Sequence, residues 1–420
     1  MSQQKNEENF SMTGGNGLYH LQWKSQQIRA KVDRMRVNSD HEVRAEVTFT
    51  SYNPASEGHL SQGRLNLSST TAKKSLVRVL ADRVKLPLEV IDVVVEQLAV
   101  AVINAYREGS PVVTIEGDID VKAVDRWLVY PVLNTGHPTI IFGQGASGKS
   151  WLAQYVSVLV DAGLSASGLH VEPANVLYLD WETNQQELET RVTMIRKGLG
   201  LTGKSNLKYR PMWDGLLSDL ETVRSQVLDH DIQLVVIDSI GAACGGTPSE
   251  EQTVIPLFNG LRSLGVTSLC IDHINKEGSL FGSSYKFFNG RQVFQVKKDQ
   301  GTDSSFIDFG LFHEKSSNSS MLKPMGWRIS FEGELVKINS KEVADTGLES
   351  EMRISDRIKN LLQHGPMHPT EIAEYLEKEQ SHIRKELSIG KNRNQFVSLS
   401  DGKYALATER KQEEWSDTML

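Results

Sequence analysis

The stretch TIIFGQGASGKSWLAQYV, residues 139–156, decides the fold of the central part of this 420-residue chain. Its first residues have the composition of a buried strand, and its last residues have the apolar spacing of a helix. Between them, GQGASGKS (143–150) satisfies the pattern GxxxxGK[ST] of a phosphate-binding loop. Glycines let successive backbone N–H groups converge on phosphate groups, and the N-terminus of the following helix adds a favourable dipole. The stretch therefore predicts a nucleotide phosphate site between a strand and a helix.

The residues of this loop have distinct expected roles. Lys149 supplies a positive charge to the outer phosphates, and the Ser150 hydroxyl supplies an oxygen ligand to Mg²⁺. We therefore predict ATP and Mg²⁺ as cofactors. The predicted nucleotide-binding residues are Gly143, Gln144, Gly145, Ala146, Ser147, Gly148, Lys149, Ser150 and Trp151.

Polar side chains follow three further strand patterns. Asp238 ends LVVID, where its carboxylate can hold Mg²⁺ through water. Glu182 ends VLYLDWE, which lies in sequence between the phosphate loop and the Asp238 strand. This order resembles additional-strand ATPases, in which that glutamate activates the attacking water. Asp180 lies deeper on the same strand, so Glu182 is the better candidate base. His273 ends SLCIDH and is placed to contact the γ-phosphate.

These side chains complete the predicted site, although a structural role is the alternative for Glu182 and His273. The predicted catalytic residues are Lys149, Glu182 and His273, and the predicted metal residues are Ser150 and, through water, Asp238.

Strand and helix patterns alternate through residues 119–340, which predicts an α/β domain. Such alternation is typical of a mostly parallel sheet with helices on both faces. Three later segments, RQVFQVKK, SFIDFGLFHEK and WRISFEGELVKI, are expected to complete the sheet as antiparallel strands.

The sequence on either side of the predicted α/β domain indicates smaller units. Residues 1–16 are polar and glycine-containing and are predicted to be disordered. Residues 17–118 combine alternating strand patterns with two helical patterns, which predicts a small α+β domain without a catalytic constellation. Residues 341–352 read as a polar linker, and residues 411–420 as a tail.

Residues 353–410 have the order helix, helix, helix, hairpin, which is typical of a winged helix-turn-helix. Between residues 352 and 411 the charge is +3, whereas the whole chain carries −7. Arg384 and Lys385 on the third helix are predicted to contact duplex DNA in the major groove. The alternative is a winged helix that packs on its own ATPase domain or on a partner protein.

Composition excludes several classes of protein. Two cysteines, Cys244 and Cys270, are too few for a disulfide framework or a zinc site. No apolar run approaches the roughly 18–20 residues that cross a bilayer, and the N-terminal residues lack the apolar core of a secretory signal. We therefore expect a cytoplasmic protein with no membrane partner.

Taken together, these motifs resemble the RecA/DnaB-type ATPases, in particular their RepA-like branch of hexameric helicase-related proteins. The resemblance covers about residues 120–340 and includes GQGASGKS, YLDWE, LVVIDS, the segment from TPSEEQ to HINKEG, and FGSSYKFFNGRQVFQV. It implies a homo-oligomeric ring, expected to be a hexamer, with ATP between neighbouring subunits.

The resemblance also implies two channel loops that hold single-stranded DNA, at residues 241–253 and 274–289. Lys276 and Lys286 are the predicted backbone contacts of the second loop, which also carries aromatic residues that suit base stacking. Hexameric motors usually place a cation against the neighbour's γ-phosphate. The corresponding segment, LFHEKSSNSS, offers Lys315 and no arginine, and Arg291 is the second candidate.

The expected function is an ATP-driven motor on single-stranded DNA, a replicative-type helicase or translocase. One alternative is an ATP-regulated DNA-binding or loading protein without strand separation. A small-molecule kinase is disfavoured by the separate Glu182 strand and by the absence of an arginine-rich lid.

Overall fold

The computed structural model describes residues 9–15, 17–54, 58–109, 112–118, 127–299, 305–317 and 320–407. Their buried apolar side chains form one core in the N-terminal unit, one on each face of a large central sheet, and one in the C-terminal unit. The predicted tail at 411–420 lies outside the described residues, as do residues 119–126 at the predicted start of the ATPase domain.

The N-terminal unit is a five-stranded antiparallel sheet whose strands follow one another in chain order. Alternate side chains of its strands are buried, because only one face of the sheet packs against the unit's two helices. The alternating strand patterns predicted within residues 17–118 are confirmed as strands. The strands are β1 Phe10–Gly15, β2 Leu18–Trp23, β3 Ile28–Val37, β4 Val43–Ser51 and β5 Gly58–Asn66.

The prediction of disorder through residue 16 is wrong for part of that segment. Phe10–Gly15 forms β1 and pairs antiparallel with β2, while residues 1–8 and 16 lie outside the described part. Phe10 packs on Trp23, with ring centroids 5.4 Å apart. A polar, glycine-containing segment thus becomes a strand because a neighbouring strand offers it hydrogen bonds and an apolar contact.

Two helices cover this sheet, as the apolar spacing predicts. They are α1 Thr70–Val84 and α2 Leu88–Glu108. The side chain of Ser69 accepts a hydrogen bond from the Ala72 N–H and caps the first helix.

The central unit contains a nine-stranded sheet and a small three-stranded one. The small sheet consists of β6 Trp127–Tyr130, β7 Leu133–Asn134 and β9 His170–Val171. The large sheet consists of β8 Pro138–Gly143, β10 Asn175–Asp180, β11 Lys208–Pro211, β12 Ile232–Asp238, β13 Thr267–His273, β14 Gln292–Lys298, β15 Phe306–Ser316, β16 Met325–Glu332 and β17 Leu335–Lys341.

Helices pack on both faces of the large sheet, which confirms the predicted fold class. Alternate residues of its buried strands enter two different cores, such as Ile141 and Ile140 of β8. The helices are α3 Lys149–Ala162, α4 Gln185–Gly198, α5 Leu216–Asp229, α6 Ile240–Ala243, α7 Glu251–Ser263 and α8 Ser284–Asn289. Helices α3 and α4 contact one core, and α5 and α7 contact the other.

The strand order in the large sheet is β11-β10-β12-β13-β8-β14-β15-β16-β17. The strands from β11 to β14 are parallel, and those from β15 to β17 are antiparallel. The prediction that RQVFQVKK is antiparallel is therefore wrong with respect to β8, which β14 joins in parallel. Alternation of side chains is the same in both kinds of pairing, so the sequence pattern could not separate them.

The predicted linker at 341–352 is partly packed rather than simply polar. It forms two 3₁₀ turns, Val343–Thr346 and Glu349–Glu351. Val343 and Leu348 are buried against Phe312 of the sheet. These contacts tie the segment to the central unit.

The C-terminal unit has the predicted order of three helices and a hairpin. Met367 forms an additional bridge to Tyr404 of the hairpin. Its elements are α9 Ile354–Gln363, α10 Pro369–Tyr375, α11 Gln380–Asn392, β18 Phe396–Ser398 and β19 Tyr404–Leu406. Its assignment as a winged helix stays a prediction. In the part of the chain that the structure describes, no helix combines the length and apolar character needed to cross a bilayer.

Gly198 gives a test of how α4 packs on the sheet. A Cβ atom at this position would overlap the carbonyl oxygen of Val336 in β17. Gly198→Ala is therefore expected to lower the free energy of unfolding by about 1–3 kcal/mol in urea titrations, although Ala favours helices. Gly63→Ala in β5 is the control, because a Cβ there meets no atom within 4 Å. Equal stability of the two variants would contradict this packing.

Candidate nucleotide site

The carboxyl ends of four parallel strands meet beside the phosphate loop. Asp180 of β10 is the register partner of Asp238 in β12, and His273 of β13 is the partner of Gly143 in β8. Side chains that end these strands therefore lie at one edge of the sheet, where open α/β sheets bind ligands. A cavity of about 280 Å³ opens there, lined by Ala146, Ser147, Gly148, Lys149, Ser150, Trp151, Glu182, Thr183, Arg191, Ile271, His273 and Ile307.

Lys149 is held inside the phosphate loop. Its side chain is 5% exposed, and Nζ donates to the carbonyl oxygens of Gly143 at 3.0 Å and Gln144 at 2.7 Å. Burial lowers the pKa of Lys149, and the carboxylates of Asp238 and Glu182 oppose this shift. The ammonium is thus surrounded by acceptors that a phosphate group can replace.

Two residues of the loop have the left-handed backbone conformation. Gly148 has a φ of 94°, and Ala146 also has a positive φ of 54°. A Cβ at Gly143 would overlap the carbonyl oxygen of Val296, so this position needs glycine. The buried hydroxyl of Ser147 has no hydrogen-bond partner among the described residues. An unpaired buried donor facing this loop fits a phosphate ligand.

Asp238 provides the carboxylate nearest to the loop serine. The phenol of Tyr178 donates to Oδ2 at 2.6 Å, whereas Oδ1 has no hydrogen-bond partner within the described residues. Burial raises the pKa of Asp238 to about 6, and the hydroxyls of Tyr178 and Ser150 oppose the shift. A carboxylate that interacts with the Ser150 hydroxyl provides the kind of oxygen ligand that Mg²⁺ prefers.

The residues present fit magnesium only together with a nucleotide. No group of three or more His, Cys, Asp and Glu suited to a metal occurs in the described ranges. Mg²⁺ commonly takes one or two protein oxygens and completes its shell with water and substrate phosphates. Ser150 and Asp238 match that requirement.

Glu182 and His273 form the outer half of the site. His273 Nε2 lies 3.1 Å from Glu182 Oε1, and both side chains remain partly exposed. The hydrogen bond lowers the pKa of Glu182 and raises the pKa of His273, so the pair is favoured as carboxylate and imidazolium. A carboxylate at this edge can accept a proton from water, and a cation beside it can contact a phosphate.

Asp180 has a different task from Glu182. It accepts hydrogen bonds from the N–H groups of Glu182 at 2.9 Å and Thr183 at 3.0 Å, and from the Thr183 hydroxyl. The Trp181 N–H donates to the Asp238 carbonyl at 2.8 Å. These bonds turn the chain after β10 so that Glu182, rather than Asp180, lines the cavity.

The strand order in space differs from the order in sequence. The strand that separates the phosphate-loop strand from the Asp238 strand is β13, which ends in His273, and β10 lies on the far side of β12. Glu182 reaches the cavity through the turn after Asp180 and not through an intervening position in the sheet.

Lys286, predicted to contact DNA, is completely buried. Its Nζ lies 2.7 Å from Oδ2 of Asp272, and both side chains are 0% exposed. The prediction is wrong for this conformation, because the ammonium is used in an internal ion pair. Lys276 is exposed in the same loop, as are Phe281 and Phe288.

The two trans-acting candidates also lie away from the cavity of their own chain. Lys315 donates to the carbonyl oxygens of Phe287, Phe288 and Gly290 at 2.8–2.9 Å and so caps α8. Arg291 has an exposed side chain next to β14. A contact with a neighbouring subunit's phosphate stays a prediction for both.

Sequence reasoning missed three side chains at the site. Tyr178 lies in an apolar strand pattern, Thr183 precedes a helix, and Arg191 is a polar residue in the middle of that helix. Arg191 lies over the Trp151 ring, 5.1 Å from its centroid, and pairs with Glu187. The signal for Tyr178 was its position two residues before Asp180, which places both on one face of β10.

Comparison with known proteins addresses the same region. Residues 106–279 match the model of the AAA domain family. Together with the phosphate loop and the sheet around it, this match supports a RecA-like P-loop ATPase domain. A comparison with curated proteins gives no match.

Two solved structures are similar over about half of the chain. A KaiC-like protein of Pyrococcus horikoshii is 14% identical with a TM-score of 0.37, over 54% of this chain and 99% of that one. The flagellar accessory protein FlaH of Methanocaldococcus jannaschii is 16% identical with a TM-score of 0.35, over 50% and 90%.

The raised pKa of Asp238 predicts an acid limit for Mg²⁺-dependent nucleotide binding. The carboxyl is ionised above about pH 6 and protonated below it. Protons and Mg²⁺ then compete, so the Mg²⁺-dependent affinity for ATP is expected to fall up to about tenfold per pH unit below that value. Fluorescent-nucleotide titrations from pH 5 to 8 measure this. The Asp238→Asn variant is expected to bind ATP weakly with Mg²⁺ and to lack this fall in affinity at acid pH. An identical fall of the ATP affinity in that variant would contradict the assignment of the acid limit to Asp238.

Proposed function

We propose that this chain is an ATP-hydrolysing motor on single-stranded DNA, a RecA/DnaB-like helicase or translocase that works as a homo-oligomeric ring. The observation that carries the proposal is the hydrogen bond between His273 and Glu182. It joins the expected hydrolytic carboxylate to the residue that immediately precedes the second loop.

Hydrolysis would use the residues around the cavity in separate roles. Lys149, Ser147 and the loop N–H groups would bind the phosphates, and Ser150 and Asp238 would hold Mg²⁺, which supplies positive charge to the phosphates when bound. Glu182 would orient a water molecule and accept its proton as the water attacks. The imidazolium of His273 would face the charge that develops on the γ-phosphate.

The loop after His273 is connected directly to this chemistry. The Phe281 N–H donates to the His273 carbonyl at 2.9 Å, and Ile274 bridges Leu280. The Ser283 N–H donates to the Pro248 carbonyl at 3.2 Å, which joins the second loop to the first. A change in the contacts of His273 on hydrolysis would therefore move both loops.

The exposed part of the second loop suits a single strand. Lys276 offers a cation to the phosphate backbone, and Phe281 and Phe288 expose 43% and 65% of their surface to bases. In a ring, Lys315 or Arg291 would reach the neighbour's γ-phosphate. Ring formation, expected as a hexamer, is measurable by light scattering with ATP.

The C-terminal unit would add contacts with duplex DNA. Arg384 and Lys385 are both exposed on α11. Their positive charge suits the phosphate backbone or a base edge in the major groove.

Single-stranded DNA is expected to stimulate ATP hydrolysis several-fold. Lys276→Ala and Phe288→Ala should reduce this stimulation while leaving the rate without DNA unchanged. Lys85→Ala, in the N-terminal unit, is the matched control for loss of an exposed cation.

The other candidate, an ATP-regulated DNA-binding or loading protein, predicts a different result. It would bind duplex DNA tightly through the C-terminal unit, and single strands would leave its ATP turnover unchanged. That outcome would refute the motor and retain the ATPase.

A further inference from the structure

Tyr178 connects two neighbouring strands at the base of the candidate site. It lies on β10 with 1% of its surface exposed, and its hydroxyl donates to Asp238 of β12 at 2.6 Å. The two strands are parallel neighbours in the sheet. One phenol thus connects β10 to the carboxylate at the tip of β12.

The hydrogen bond distinguishes the two oxygens of Asp238. Oδ2 accepts from Tyr178, whereas the buried Oδ1 has no partner among the residues described. A donor that binds one oxygen fixes the rotation of a carboxylate, which is otherwise broad.

A simple core tyrosine explains less of this arrangement. Buried phenols usually find some partner, and a backbone carbonyl would satisfy one. Here the partner is the carboxylate that the site offers to Mg²⁺, and the distance between the two oxygens is a short 2.6 Å.

We propose that Tyr178 is a positioning residue that holds Oδ2 of Asp238 and so leaves Oδ1 to interact with magnesium and its water shell when the metal is bound. The inference rests on the proposed nucleotide hydrolysis. Groups that orient a metal-binding residue in this manner are typically worth 10–100-fold in metal affinity or activity, as an order of magnitude.

The test compares nucleotide binding with and without the metal. Tyr178→Phe removes one hydroxyl and keeps the ring, so its affinity for a fluorescent ATP analogue with Mg²⁺ is expected to fall about tenfold. The affinity in EDTA should stay at the wild-type value, because the phosphate contacts do not involve Tyr178. Tyr155→Phe is the matched control, since it removes another buried phenol hydroxyl, which bonds to Ser167 at 2.7 Å.

The outcomes separate this inference from the proposed function. Wild-type protein whose ATP affinity is not enhanced by Mg²⁺ would refute the proposed function. The positioning role alone would be overturned if Mg²⁺ enhanced the ATP affinity of Tyr178→Phe as much as that of the wild type. It would also be overturned if the variant lost equal ATP affinity with Mg²⁺ and with EDTA. Should Tyr178→Phe fail to fold, a crystal structure of the wild-type protein with Mg²⁺ and an ATP analogue decides the point. An Asp238 carboxylate that no longer accepts a hydrogen bond from Tyr178 in that structure contradicts the inference.

Discussion

Glu182→Gln is expected to bind ATP with wild-type affinity and to hydrolyse it at least about 100-fold more slowly. The amide cannot accept a proton from water, but it can keep the hydrogen bond to His273 that fixes the side chain. The phosphate contacts belong to the loop and are untouched. Fluorescent-nucleotide binding and steady-state phosphate release measure the two quantities separately.

Glu189→Gln is the matched control for this variant. Glu189 is an exposed acid on α4, the helix that follows Glu182, and it does not line the nucleotide cavity. Its substitution should leave the rate unchanged. Wild-type hydrolysis by Glu182→Gln would remove the general base from the account and leave only a nucleotide-binding protein.

Lys286→Met is expected to lower the free energy of unfolding by about 3–5 kcal/mol. The substitution leaves the Asp272 carboxylate buried without its cation, 2.7 Å away in the intact protein. Burial already raises the pKa of Asp272 while Lys286 opposes that shift, so loss of the lysine raises the pKa further. Urea titrations at pH 7 measure the loss.

The ion pair also lies between the two parts that the proposed function couples, the nucleotide site and the second loop. Asp272 precedes His273 on β13, and Lys286 belongs to α8 of the second loop.

The double variant Asp272→Leu, Lys286→Met should recover most of the stability, because it buries no charge. Asp82→Asn breaks an exposed pair with Lys85 and should change stability by less than about 1 kcal/mol. An equally small effect of Lys286→Met would contradict the burial of the pair.

The sequence predicted those parts of the site that a short stretch of consecutive residues is enough to identify. A phosphate loop needs its glycines, lysine and serine consecutively, so residues 143–150 identify it without any tertiary information. Asp238, Glu182 and His273 each end an apolar run, and ends of parallel strands meet at one edge. Those two facts place the three side chains at the edge of the sheet where the cavity opens, with Glu182 and His273 in its lining.

The parts that the sequence missed depend on pairing in three dimensions. Alternation in RQVFQVKK is the same whether β14 runs parallel or antiparallel to β8, and only the pairing decides. Lys286 stands among aromatic residues in a loop, which indicates exposure, yet Asp272 offers it a buried partner from 14 residues away. The sequence pattern indicates that Tyr178 is an apolar strand residue, and only the pairing of β10 with β12 shows that Asp238 lies beside it.

Lys149, Asp238 and Glu182 are expected to surround one triphosphate. A crystal structure with Mg²⁺ and a transition-state analogue of ATP tests it most directly. We expect the phosphates in the loop of residues 143–150 and a water molecule about 2.6–3.2 Å from the Glu182 carboxylate, in line with the γ-phosphate position. A Glu182 side chain turned into solvent, with no water between it and the analogue, would contradict the account.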